Sequence, residues 1–218
     1  MSARIMLLKR FLWMVLAVGW LFGGSAAADA DTPVVLVLGD SLSAAYGIPR
    51  DAGWVALLQA RLAEAGYPHQ VVNASVSGET TAGGLRRLPK QLARHRPDVL
   101  IVELGGNDGL RGQPLPALHN NLRAMVEQGQ QAGAQVVIFG MRIPSNYGPA
   151  YAEQFHRSFA AVAEATGAAL LPFFLAPIAL DEQAFLPDGI HPNAAAQPRL
   201  LDHAWPVLEP LFKTSTSD

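Results

Sequence analysis

Two short segments carry the residue types that acyl transfer needs. Gly39-Asp40-Ser41-Leu42-Ser43 puts a serine just past the apolar run Val34-Val35-Leu36-Val37-Leu38. Far downstream, Asp188-Gly189-Ile190-His191 sets a carboxylate three residues before an imidazole. A serine hydroxyl is a weak nucleophile until a base takes its proton, and the base in turn needs a group to orient it. Ser41, His191 and Asp188 would fill these three roles, with Asp188 holding the Nδ1 side of the imidazole and Nε2 facing Ser41. Of the six histidines, only His191 has a carboxylate three residues upstream in a loop rich in Pro and Gly. Each residue also has a plainer reading: Ser41 as a turn or helix-capping serine, and His191 as a surface loop histidine. Their occurrence together favours catalysis.

The same chemistry needs donors for a developing oxyanion. Gly78 allows close backbone approach, so its N–H can be turned on a substrate oxygen. Asn107 can donate from its side-chain amide, and the Ser41 N–H supplies a third donor. The alternatives are a turn glycine at 78 and an Asx turn at 107.

Elements that can position these groups alternate along the chain. Continuous apolar or mixed runs predict strands at 33–38, 70–74, 98–104, 134–139 and 168–171, the pattern of strands covered on both faces. Helical spacing links Trp54, Leu58 and Leu62; Leu85, Leu88 and Leu92; Leu115, Leu118, Leu122, Met125 and Val126; Tyr151, Phe155, Phe159 and Val162; and Leu201, Trp205, Leu208 and Phe212. Pro89 should begin or bend the second of these helices, and Pro206 and Pro210 leave the course of the last one open. Strand–helix alternation implies an α/β fold on a parallel sheet, whose ligands bind beyond the carboxyl ends of the strands. Gly39-Asp40-Ser41, Ser77-Gly78-Glu79 and Gly105-Gly106-Asn107-Asp108 all follow expected strands, so they should meet along that edge.

The chain has 218 residues, half of them apolar, enough for one domain with a substantial core. It has no cysteine, which excludes disulfides, a thiolate nucleophile, Cys-ligated metals and a lipidated N-terminal Cys. No basic run points to nucleic acid. The remaining histidines lack metal-like spacing and no phosphate-binding glycine loop occurs, so no metal and no cofactor is expected. Residues 1–28 read as a secretory signal: Arg4, Lys9 and Arg10, then the apolar stretch Phe11 to Phe22, then small residues with Ala26 and Ala28 placed for cleavage. An uncleaved anchor is the alternative, although the stretch is short of the roughly 20 residues a span needs. Cleavage removes three of the 16 basic residues and none of the 18 acidic ones. The mildly acidic mature chain should not hold to anionic lipid. The expected organisation is a signal at 1–28, one domain at 29–213 and a frayed tail at 214–218, and the product is a monomer in the periplasm or secreted.

Four blocks in order carry a family resemblance: Gly39-Asp40-Ser41-Leu42, Gly78 within residues 73–80, Gly105-Gly106-Asn107-Asp108, and Asp188-Gly189-Ile190-His191-Pro192. The chain resembles the SGNH (GDSL) hydrolases across nearly the whole mature region. Residues 71–84, 102–112 and 197–201 are most similar to the bacterial periplasmic esterases of the thioesterase I / lysophospholipase L1 / arylesterase type. The resemblance implies a three-layer, flavodoxin-like fold with a five-stranded parallel sheet, and cleavage of acyl esters and thioesters by the residues named above. It also implies that the loop 109–114, with Leu110, helps cover an acyl chain. Ile143, Pro144 and Tyr147 offer an apolar wall, with Phe173 and Phe174 as further candidates for it, although ordinary core is the preferred reading of both. Asp40 reads as support for the nucleophile turn, and Glu103 has no assigned role. The expected function is an exported serine esterase acting on small acyl substrates. A carbohydrate O-deacetylase or acyltransferase on the same scaffold, and a non-catalytic binding module, are the competing readings.

Overall fold

Five aliphatic residues ending in glycine form the first strand, β1 (Val34–Gly39), buried along nearly its whole length. The computed structural model describes residues 32–214. The expected signal lies outside these residues, as do residues 215–218 of the expected tail. Four further strands follow: β2 (Gln70–Asn73), β3 (Val99–Glu103), β4 (Gln135–Phe139) and β5 (Ala169–Leu171). Each expected strand is present, with its ends shifted by no more than one residue. All pairings are parallel, in the order β2-β1-β3-β4-β5. The α/β expectation and the five-stranded flavodoxin-like sheet are both borne out.

Aliphatic residues on both sides of a strand can be buried only if both sheet faces are covered. The helices are α1 (Trp54–Glu64), α2 (Thr81–His95), the short α3 (Gly106–Leu110), α4 (Leu115–Gln131), α5 (Pro149–Thr166) and α6 (Gln197–Thr214). Helix α1 packs with α6, while α2, α4 and α5 pack in succession. Right-handed crossovers place these two groups on opposite faces. An aromatic cluster of Trp54, Phe139 and Phe174, with ring centroids 5.0–5.5 Å apart, fills the core near the strand ends.

Two local expectations change. Pro89 does not begin α2: the helix starts eight residues earlier, where the Thr80 hydroxyl accepts the Gly83 N–H. Pro206 and Pro210 likewise lie inside α6. All three prolines are exposed, so the carbonyl that each releases four residues back stands on a solvent face where water can take it. The second change is α3, where a loop was expected directly after β3.

The connections decide where a site can form. From β1 the chain passes to β2 on one side, whereas β3, β4 and β5 progress to the other. The order therefore reverses between β1 and β3, and a crevice opens beyond their carboxyl ends. Ser41 leaves β1 two residues past Gly39, and Asn107 leaves β3 four residues past Glu103. Gly39 and Glu103 are themselves partners in the β1–β3 register.

Candidate active site

The turn after β1 is tightly determined. The Ala44 N–H donates to the Asp40 carbonyl at 3.0 Å and the Tyr46 N–H to the Ser41 carbonyl at 3.2 Å. Ala45 takes φ +57, a left-handed conformation uncommon for a residue with a Cβ. Asp40 is buried, and its Oδ1 accepts the Leu42 N–H at 3.0 Å. It braces the turn from inside.

His191 arrives on a loop closed at its base. Phe185 and Pro192 form an antiparallel bridge, and the Leu186 N–H donates to the His191 carbonyl at 2.7 Å. Within the loop, Asp188 Oδ1 accepts the Ile190 and His191 amides at 2.9 and 3.0 Å, and its Oδ2 lies 2.7 Å from His191 Nδ1. The backbone hydrogen bond from His191, then the ring N–H and the Ile190 amide, hold the Asp188 carboxyl down at about 2. With Nδ1–H donating to a carboxylate, Nε2 is left as the acceptor. It stands 2.9 Å from Ser41 Oγ. Gln197, buried at the start of α6, ties this loop to the core: its Oε1 accepts the Trp54 N–H, and its Nε2 donates to the Pro192 and Asn193 carbonyls.

Asn107 sits between opposite charges. Its Nδ2 donates to Asp40 Oδ2 at 3.0 Å, and Arg111 Nη2 approaches its Oδ1 at 3.4 Å. A carboxylate on one side and a guanidinium on the other fix which way the amide points. One Nδ2 hydrogen is engaged by Asp40 and the second remains for a ligand. Burial pushes the Asp40 carboxyl up to about 6, against the hydrogen bonds from Leu42 and Asn107 that stabilise its charge. Gly78 is the third residue of a turn closed by the Glu79 N–H to the Val76 carbonyl, with φ +77. That position favours glycine. Arg111 Nη2 also donates to the Gly78 carbonyl at 3.1 Å, linking the two segments.

A cavity of about 340 Å³ opens beside Ser41, Asn107 and His191, with Gly78 outside its lining. Ser41, Asn107 and His191 line it together with Leu110, Ile143 and Pro144. Met141, Phe173, Leu175 and Phe185 complete a mostly apolar wall. Tyr147 does not line it and stands exposed on the 3₁₀ turn Ser145–Tyr147. Phe174 is core, as expected, but its neighbour Phe173 is half-buried and faces the cavity. Among the described residues no group of three or more His, Asp or Glu side chains could hold a metal ion. Chemically, the arrangement can remove a proton from Ser41 Oγ, steady the resulting imidazolium, and present hydrogen-bond donors to an oxygen beside an apolar chain.

Residues 37–198 match the GDSL-like lipase/acylhydrolase family. The chain belongs to this family. Esterase TesA of Pseudomonas aeruginosa is 51% identical over 184 residues, spanning 84% of this chain and 92% of that protein. Thioesterase 1/protease 1/lysophospholipase L1 of Escherichia coli K12 is 43% identical over 185 residues, spanning 85% and 86%. The crystal structure of TesA superposes with a TM-score of 0.80 at 52% identity, covering 82% of this chain and 99% of that one. Membership makes the protein a hydrolase of ester bonds, as the four sequence blocks implied.

This GDSL-family chain also uses residues that its motifs do not announce. Tyr46 lies over the His191 ring with centroids 4.4 Å apart, carried there by the left-handed Ala45 and by Gly47 at φ +72. Its signal in the sequence was faint: an aromatic residue before a glycine, five after the serine. Arg111 and Gln197 were not singled out as site residues: each joins a near neighbour, Asn107 or the Pro192–Asn193 pair, to a distant one, Gly78 or Trp54, that no local pattern reveals. Glu103 is buried completely at the end of β3, and the only hint was a lone acid closing an apolar run.

Proposed function

We propose that the protein is an exported serine esterase that cleaves acyl esters and thioesters through an acyl-enzyme. The observation that carries this reading is the continuous chain from Asp188 Oδ2 through His191 to Ser41 Oγ, at 2.7 and 2.9 Å. Ser41 Oγ attacks the acyl carbon while His191 Nε2 takes its proton. The tetrahedral oxyanion accepts hydrogen bonds from the Ser41 and Gly78 amides and from Asn107 Nδ2. Its collapse expels an alcohol or thiol, which receives the proton back from His191. Water, activated by the same imidazole, then releases the acid. Asp188 remains a carboxylate throughout and stabilises the imidazolium.

The apolar wall of Leu110, Ile143 and Pro144, with Met141 and Phe173, suits an acyl chain better than a sugar. Thioester cleavage is drawn from the similarity to the E. coli relative, and ester cleavage from the similarity to the P. aeruginosa esterase. Residues 1–28 direct export, and no helix among the described residues is long and apolar enough to cross a membrane. The test is hydrolysis of p-nitrophenyl esters and acyl thioesters of graded chain length by wild type and Ser41→Ala, with fluorophosphonate labelling read by mass spectrometry. Turnover and a label on Ser41 are expected in the wild type, and neither in the variant. Undiminished turnover by Ser41→Ala would refute the assignment. N-terminal sequencing of the protein from a periplasmic extract tests export, with a start near Asp29 expected.

A further inference from the structure

The reaction just proposed leaves a fully buried carboxyl without a role. Glu103 has no exposed surface, and it closes β3 at the point where the sheet order reverses. Its Oε2 accepts the Ser43 hydroxyl at 2.6 Å and lies 3.4 Å from the Asp40 amide nitrogen. These two donors flank Ser41 in sequence. Its Oε1 is buried with no partner. Leaving a carboxyl oxygen dry and unpaired is costly, and a glutamate at a strand end that served only packing could be replaced by an apolar residue of similar volume.

The surroundings show a socket shaped for this carboxyl. The Ser43 hydroxyl that donates to Glu103 accepts the Trp54 indole N–H at 3.2 Å, so its single proton has one direction left. The Ser43 carbonyl is held by Asn73 Nδ2 at 2.7 Å. Gly39, the register partner of Glu103, leaves the space in which the carboxyl lies: a Cβ there would fall 2.8 Å from Glu103 Oε2 and 2.7 Å from both side-chain atoms of Ser43. Contacts under 3.0 Å require something to shift.

We propose that Glu103 is a positioning residue for ester cleavage: its carboxyl clamps the nucleophile turn after β1 to the end of β3, and so sets the distance between Ser41 Oγ and the Asn107 amide. The inference rests on the esterase reading. Ser41 and Asn107 leave different strands, and nothing in their own segments fixes their separation except Asp40, which bonds Asn107 from the turn that Glu103 holds. Burial, and then the neighbouring Asp40, push the Glu103 carboxyl well above the usual carboxylate range. Burial and the neighbouring Asp40 both disfavour a charge in the socket. The relevant property is thus its hydrogen-bonding shape, which an amide can copy.

The experiment compares wild type, Glu103→Gln, Glu103→Leu and Ser43→Ala in the full chain, using p-nitrophenyl ester kinetics, thermal melts and the rate of fluorophosphonate labelling. In Glu103→Leu, kcat should fall roughly 10–100-fold with KM nearly unchanged, the cost of a nucleophile displaced by a fraction of an ångström to one ångström. Glu103→Gln, whose amide oxygen still accepts from Ser43 and Asp40, should return kcat to within about fivefold of wild type. Ser43→Ala keeps Glu103 but removes the clamp's main donor. It should lower kcat and the labelling rate in the same direction, and it decides the matter if the leucine variant does not fold. An active wild type whose folded Glu103→Leu or Ser43→Ala variants keep kcat within twofold would overturn the positioning role alone. So would a Glu103→Gln variant no better than Glu103→Leu. A wild type that neither turns over esters nor is labelled at Ser41 would overturn the esterase reading, and this proposal with it.

Discussion

Asn107→Ala separates the chemical role of the asparagine from its structural one, because its amide is split between two partners. One Nδ2 hydrogen goes to Asp40 Oδ2 at 3.0 Å, and the other is free to meet an oxyanion. Removing one preorganised oxyanion donor typically costs about 2.7–4 kcal/mol in the transition state, or roughly 10²–10³ in kcat. The ground-state ester gains little from that donor, so KM should barely move. The same truncation strips a hydrogen bond from a buried carboxyl, which costs about 1–3 kcal/mol of stability. In a domain of this size each kcal/mol lowers Tm by about 2–4 °C, so the melt should fall by several degrees while the protein stays folded at 25 °C. Steady-state kinetics on a p-nitrophenyl ester at 25 °C, paired with calorimetry, read both effects. A melt lowered as expected with kcat within threefold of wild type would make Asn107 a brace for Asp40 and nothing more, and the oxyanion assignment would fail.

Two other outcomes follow from the same geometry. Ile143→Trp should fill the apolar cavity: excluding two methylenes at about 0.8 kcal/mol each predicts a roughly tenfold loss of kcat/KM for an octanoyl ester relative to an acetyl ester, and an equal loss on both would place the acyl chain elsewhere. Because burial raises the Asp40 pKa from 3.8 to about 6, the native state binds this proton more tightly than the unfolded chain. That contribution is fully present below about pH 3.8 and is lost as pH rises through about 6. Urea midpoints measured from pH 4 to 7 should therefore fall with pH more steeply in the wild type than in Asp40→Asn, and parallel curves would contradict the buried-carboxyl account. Asp188 runs the other way: held down at about 2, it supports the fold above pH 3.8 and ceases to do so only as pH drops through 2.

The fold was legible because its signals are local. Val34 to Leu38 is apolar without a break, and no neighbour is needed to read it as a strand covered on both faces. The stripe at Leu118, Leu122 and Met125 is likewise helical on its own evidence. Where local rules left more than one outcome open, exposure decided. Pro89 was expected to begin or bend its helix, and Pro206 and Pro210 left the course of the last one open; all three lie inside helices and face solvent, where water can take the carbonyl that a buried proline would leave stranded. Phe173 and Phe174 were treated alike, as core before pocket wall, and only the turn after β5 sends one into the core and the other to the cavity.

The site divides along the same line. Ser41 and the Asp188–His191 pair sit in short turns, and Asn107 in the one-turn helix α3; their chemistry is written in adjacent residues. What holds those turns in register is long-range: Glu103 reaches Ser43 across 60 positions, and Gln197 reaches Trp54 across 143. No periodicity or local motif can reveal such a partner. Gly39 shows the limit most clearly. As the first residue of its block it was expected to follow the strand, yet it closes β1 and has no positive φ. Its side chain is excluded by Glu103 and Ser43 lying across it. The glycine that announces the nucleophile in the sequence is there, physically, to make room for an acid 64 residues away that the sequence leaves unexplained.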